Sequence, residues 1–509
     1  MRSRAGTRDP RWIALYVLCG GMLMIVLDVT IVNVALPSIQ DDLRFSTASL
    51  AWVVNAYLIS FGGLLLLAGR VGDLVGRKRV FLAGVGSFTA ASLVCGFAQS
   101  QAMLVGARFV QGIGGAMTSA VILGMIVTMF PEPREQAKAI GVYAFVASAG
   151  GAVGLVAGGV LTQSTDWHWI FFVNVPIGLA VVAVAARLLE RDQGLGLRAG
   201  SDIPGALLIT SALMLAVYTI VTPAAQDGWG ATRTLELAVL CIVLLAAFFV
   251  REATAKRPLM PPRIFRSAGL AAANAIQVLS AAGMFGMFFL GALYLRRVLG
   301  YDALQIGLAF LPVTVSMGLL SIRYSERLVT RFGARALLVP GLALICAGLI
   351  VFSQSPVHAT YLLDVMPAMT LLGIGAGVCF PALMNVGMAG VEPQDAGLAS
   401  GLLNTGAQAG GALGLAVLAT LAGSRSGDLI KHGHPNTAAL ASGYHLAFWI
   451  AAGLVALAIP IVFAAQPARA GAEAIAADPP EAGPGRLQAA ISAAAMRRRD
   501  EALEDRGSA

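Results

Sequence analysis

Charge is what this chain has little of. Only 12% of its 509 residues are Asp, Glu, Lys or Arg, about half the share of a soluble domain, which excludes a water-soluble multidomain protein. Neither GxxxxGK[ST] nor HExxH occurs, no Cys/His cluster has metal-ligand spacing, and the stretches between apolar runs are too short for a nucleotide-binding domain. No nucleophile, base and orienting group assemble, so no enzyme, cofactor or metal is expected. The few cysteines, Cys19, Cys95, Cys241, Cys346 and Cys379, all lie in apolar runs without CxxC and read as buried free thiols.

What is abundant is hydrocarbon. The chain is 57% hydrophobic, and its apolar runs recur at the roughly 20 residues a helix needs to cross about 30 Å of bilayer core. The first run contains Asp28, is too long for a signal peptide and is followed by many like it, so it reads as a retained span. The runs give fourteen spans: 13–37, 48–69, 80–98, 102–130, 138–162, 169–188, 203–223, 234–250, 268–295, 304–322, 336–353, 361–390, 396–422 and 442–464. The fold class is all-α integral membrane, with both termini on one side.

The net charge of +8 belongs to the connections. Of the 35 Lys and Arg, only Arg44, Arg233, Arg296, Arg297, Arg425 and Lys431 fall opposite the termini, and Arg108 lies within a span. The basic excess therefore assigns the termini to the cytoplasm and signals topology rather than nucleic acid. The Arg296-Arg297 pair fits least well and is read as snorkelling from a helix end.

The chain also repeats. AGGAVGL at 149–155 returns as AGGALGL at 409–415, and the stretch from Gly69 to Lys78 has a worn counterpart from Glu326 to Arg335. The two offsets, 260 and 257 residues, both correspond to six spans plus two. Two six-helix bundles, 13–189 and 268–464, with two inserted helices at 203–251, account for this, and parallel repeats of that kind build transporters. Residues 1–12 and 465–509 are then cytoplasmic ends, the second read as disordered or as a surface helix.

Five motifs fall in order: LDVTIVNVALP in span one, GRVGDLVGRKRV after span two, RFVQGIGGAM in span four, WHWIFFVNVPIG entering span six and RPLMPPRIF before span nine. Together they resemble the fourteen-span drug:proton antiporter branch of the major facilitator superfamily. The resemblance implies two bundles rocking around a midplane cavity in a bacterial inner membrane, with an amphipathic toxic compound leaving in exchange for protons. It also implies that Asp73 serves a latch between the two halves. Read physically, Gly69, Gly72 and Gly76 permit close helix approach and a tight turn, while Arg70, Arg77, Lys78 and Arg79 hold the turn at anionic headgroups. A topology anchor alone would need only the cations.

Asp28 and Arg108 are the deep ionisable residues of the first half, where an unpaired charge costs a few kcal/mol. Asp28 can take up and release a proton and is the candidate coupling group; Arg108 can pair with it, and a permanent structural ion pair is the competing reading. Candidate cavity residues are Asn33, Asn55, Tyr57, Gln111, Asn274, Gln277, Asn404 and Gln408, with interhelical hydrogen bonding as the alternative for each. Gly150, Gly154 and Gly158, with Gly159 adjacent, form a packing groove in span five that resembles the branch's antiporter motif. Leu155 stands where that motif has proline, which favours a second reading: a metabolite exporter or facilitator without tight proton coupling. A non-transporting membrane sensor or scaffold is the reading from another class. The expected partners are a small amphipathic molecule, protons and the lipid bilayer, with no statement on oligomeric state.

Overall fold

A computed structural model describes residues 10–464 apart from 190, 191, 193, 197–201, 257, 261, 262, 265, 266, 390 and 392–395. The tail from 465 thus lies outside the described residues. Among the described residues every regular element is helical. The first six membrane helices are α1 (Pro10–Leu43), α2 (Thr47–Val75), α3 (Arg77–Gly96), α4 (Gln101–Met129), α5 (Pro133–Ser164) and α6 (Trp169–Leu188). The inserted pair is α7 (Ile203–Gln226) and α8 (Thr232–Thr254). The last six are α9 (Ala268–Arg297), α10 (Ala303–Leu319), α11 (Ala334–Ser353), α12 (Tyr361–Met388), α13 (Ala396–Lys431) and α14 (Asn436–Ala464).

Thirteen of these are long and apolar enough to span a membrane; α10 is the short one. Pro312 explains it. Lacking an N–H and clashing with the preceding turn, proline interrupts a helix, and α10 breaks at Phe310 before resuming at Leu311. A π-helical stretch, Leu320–Tyr324, then carries the chain on into Ser325–Phe332. We call the end of the bundle bearing residues 10 and 464 the terminal face, and the opposite end the far face.

In the first half α2 packs on α4, α3 on α4 and α6, and α1 on α5. The last six helices repeat this with eight added to each number: α11 on α12, α9 on α13 and α10 on α12. The halves meet along α2–α13, α5–α10 and α1–α9, and α7 bridges them by packing on both α2 and α13. The duplication reaches backbone detail. Gly76, between α2 and α3, has φ 102 and ψ 131, and Gly333, before α11, has φ 82 and ψ 143, left-handed φ values that favour glycine.

The repeated glycine stretch packs alike in both halves. A Cβ on Gly154 would sit 1.9 Å from Thr30 Oγ1 of α1, and one on Gly414 would sit 2.3 Å from Ala282 Cβ of α9. Gly150 and Gly158 also face α1, whereas Gly159 turns to Ala303 and Leu304 of α10, in the seam between halves. Gly154→Ala should therefore lower the melting temperature of the purified protein by several degrees, since overpacking costs about 1–3 kcal/mol. Gly86→Ala, with open space around it, should leave it unchanged.

Candidate functional site

The deepest polar feature joins five helices of the first half. Asp28 is fully buried in the middle of α1 and Arg108 is 1% exposed on α4, seven residues in from the far-face end and so about 10 Å below it. Arg108 Nη1 donates to Asp28 Oδ2 at 2.5 Å and to Gln111 Oε1 at 2.7 Å, while its Nε donates to the Val53 carbonyl of α2 at 3.0 Å. Arg108 and Gln111 share a face because i and i+3 do on a helix. Gln111 Nε2 donates to Asp28 Oδ1 at 2.7 Å, and Asn174 Nδ2 of α6 reaches the same oxygen at 3.2 Å. The Ser92 hydroxyl of α3 accepts from both amides and donates to the Phe171 carbonyl. The Arg108 guanidinium also lies 4.5 Å from the centre of the Tyr57 ring, a favourable cation–π placement.

Three donors thus meet the Asp28 carboxylate, and opposite charge compensates it. That is the condition under which a buried ion pair survives without water. Two atoms at the rim, the Tyr57 hydroxyl and Asn174 Oδ1, are buried without partners. Ser92 and Asn174 are not among the candidate residues; Ser92 is one polar residue in an apolar run, and Asn174 lies inside the WHWIFFVNVPIG motif without being given a role.

The other candidate cavity residues lie apart from this network. Asn33 is buried but donates to the Val29 carbonyl of its own helix. Asn55 is fully buried with neither side-chain atom bonded, and helical spacing puts it on the stripe of α2, with Gly62 and Leu66, that packs on α13. Asn274 Oδ1 lies against Gly406 and the Cβ of Gln408 against Gly62; Asn274 Oδ1 and Gln408 Oε1 are both buried without partners. Gln277 is half-buried, and Asn404 is exposed and donates to its own Ser400 carbonyl. Thr405, which sequence inspection passed over, donates from Oγ1 to the Gly62 carbonyl at 3.1 Å and ties the halves together.

The loop between α2 and α3 is sewn to its own half. Asp73 pairs with Arg77 at 3.1 Å, and Arg77 also donates to the Gly124 carbonyl and the Thr128 hydroxyl of α4. A Cβ on Gly72 would lie 2.6 Å from Val121 of α4, and Gly69 lies in ordinary contact with Ala120. Lys78 Nζ caps the end of α6 through the Ala186 and Leu189 carbonyls. Asp192, beyond α6, accepts the Arg77 and Lys78 backbone N–H groups, and Leu195 N donates to the Asp73 carbonyl. Arg70 lies at the terminal end of α2 and is half-buried. At the far face the halves are joined by Arg297, which donates to Asp41 and, at 3.2 Å, to Gln40 Oε1. Arg297 thus crosses to the other half instead of snorkelling, while Arg296 bonds the nearby Tyr301 carbonyl.

Apolar helices whose packing order repeats between the first six and the last six, with an ion pair buried among the first set, define a polytopic membrane protein. The chain belongs to the Major Facilitator Superfamily, whose model matches residues 18–415 and 278–498. It is 38% identical over 456 residues to the puromycin resistance protein pur8 of Streptomyces alboniger, covering 88% of this chain and 90% of that one. It is 39% identical over 460 residues to the cephamycin export protein CmcT of Amycolatopsis lactamdurans, covering 90% and 93%. A bacterial homologue of the human lysosomal transporter Spinster, solved inward-facing and unoccupied, shares the fold with a TM-score of 0.66 at 18% identity, covering 90% of this chain and 98% of that one.

Removing one partner of a buried pair strands the other charge at a cost of about 3–5 kcal/mol. Arg108→Gln and Asp28→Asn should each lower thermal stability. The double variant should be more stable than the sum of the single losses predicts, as read by a double-mutant cycle on unfolding of the purified protein.

Proposed function

We propose that this protein is a secondary exporter of antibiotics or other amphipathic toxic compounds from a bacterial cell, driven by proton exchange across the inner membrane. The observation that carries the reading is full-length likeness to antibiotic resistance and export proteins in a chain holding an acid–base pair at the heart of one half. In this reading the terminal face is cytoplasmic, in keeping with its excess of Lys and Arg. The contacts of Arg297 with Asp41 and Gln40, and of Gly159 with Ala303, then close the external side.

Asp28 is the proton carrier in this mechanism, and the geometry sets a condition on it. A carboxylate meeting three donors must release at least one of them to accept a proton, so uptake belongs to a conformation in which α1 or α4 has shifted and water reaches the pair. Arg108 remains charged throughout and re-forms the pair when the proton leaves. Asp73 and Arg77 hold the α2–α3 loop within the first half here; the proposed latch to the second half forms when the terminal side closes.

Cargo contact falls to groups with capacity to spare. Asn55, Asn274 and Gln408 each bury an amide atom without a partner, and an unpaired polar group costs about 1–3 kcal/mol. A ligand or water meeting them recovers that cost. Leu155, buried with its carbonyl against Gly307, supports the second reading of a facilitator without tight coupling. The test is transport in vesicles with an imposed pH gradient: Asp28→Asn should abolish gradient-driven efflux while substrate binding persists. Undiminished pH-driven flux in that variant would remove Asp28 from the mechanism.

A further inference from the structure

Two further buried acids lie away from Asp28, where the inserted helices meet at the terminal face. Asp202 caps the start of α7, accepting the Gly205 N–H at 3.2 Å, and is 2% exposed. Arg251 Nε, near the end of α8, donates to both Asp202 oxygens at 3.0 and 3.2 Å. Glu252 follows it and is 3% exposed. Its Oε2 accepts the Met260 N–H at 2.7 Å, but its Oε1 is buried without a partner. That atom does not point into packed hydrocarbon. A Cβ on Gly205 would sit 2.9 Å from Glu252 Oε1 and 2.8 Å from Asp202 Oδ2, so the two carboxyl groups border the same space that the glycine leaves open.

Two ionised carboxylates bordering one buried space repel, and Arg251, the cation that the described residues bond there, is engaged by Asp202. Other described charges near this corner are Lys256 and Arg263 on the segment after α8. Arg70 lies on α2 two turns beyond Gly63, on the face that touches Thr210 of α7. We propose that Glu252 is a second proton-binding site of this protein, holding a proton on Oε1 that bridges to Asp202 and exchanges with the aqueous phase at the terminal face. The protonated form closes a clasp between the two ends of the inserted pair, and Met260 ties that clasp to the segment entering the second half. As pH rises the proton leaves, the carboxylates repel and the clasp weakens. This site does not depend on Asp28 or on proton-driven transport.

Infrared difference spectroscopy of the full-length protein in lipid nanodiscs tests it, because a protonated carboxyl has its own carbonyl absorption. Near neutral pH the band should be lost in Glu252→Gln and retained in Asp28→Asn. Asp202→Asn removes the repelling charge and should move the titration midpoint of the band to lower pH by about one unit; this variant serves if Glu252→Gln does not fold. A band unchanged in Glu252→Gln, a midpoint unmoved in Asp202→Asn, or removal of the band by sodium at constant pH would overturn the assignment.

Discussion

The contact between Asp28 and Arg108 sets what the first half can do. Either charge alone in a dry interior would be intolerable, and together they survive only because Gln111, Asn174, Ser92 and the Val53 carbonyl occupy the remaining hydrogen-bonding positions. Those groups come from α1, α2, α3, α4 and α6. A rearrangement that parts them strands one of these groups unless water or a proton compensates it, so the network holds the five helices together for as long as the pair is sealed. Movement is cheaper between halves than within one.

The seams between the halves are of a different kind. Among the described residues, besides Thr405 on the Gly62 carbonyl and Arg297 on Asp41 and Gln40, they bring glycines against the facing helix, as where Gly307 meets the Leu155 carbonyl and Gly401 the Leu66 side chain. Asp41 and Arg297 are partly solvent-exposed, and an exposed ion pair contributes about 0–1 kcal/mol. Breaking it once per cycle costs little next to the several kcal/mol that a buried pair commands. The polar contact across the far face is thus cheaper to break than those around Asp28.

Much of this was legible in the sequence. Length and apolarity gave the membrane helices, but not where they end: α1 runs to Leu43 and α13 to Lys431, past the ends at 37 and 422 read from hydropathy, because polar residues stop a hydropathy signal without stopping a helix. Pro312 was visible, yet the break it causes depends on local backbone geometry. Asp28, Arg108 and Gln111 stood out because such residues are rare in a span. Ser92 did not, being a single polar residue, Asn174 sat unassigned inside a recognised motif, and Asp192 looked like any loop acid although it caps α3. Contacts between halves, such as Arg297 with Asp41, join residues far apart in sequence and leave no local pattern at all.

The polar groups divide accordingly. In the first half nearly every polar atom around Asp28 is spent on another, so a ligand arriving there would have to displace an internal bond worth more than it could offer. At the α2–α13–α9 junction the amides of Asn55, Asn274 and Gln408 are buried with capacity unused. Burial without partners is unfavourable unless something compensates it in another state. The groups whose bonds hold the first half together are therefore not the ones left with unused hydrogen-bonding capacity, and the two sets lie on different helix contacts.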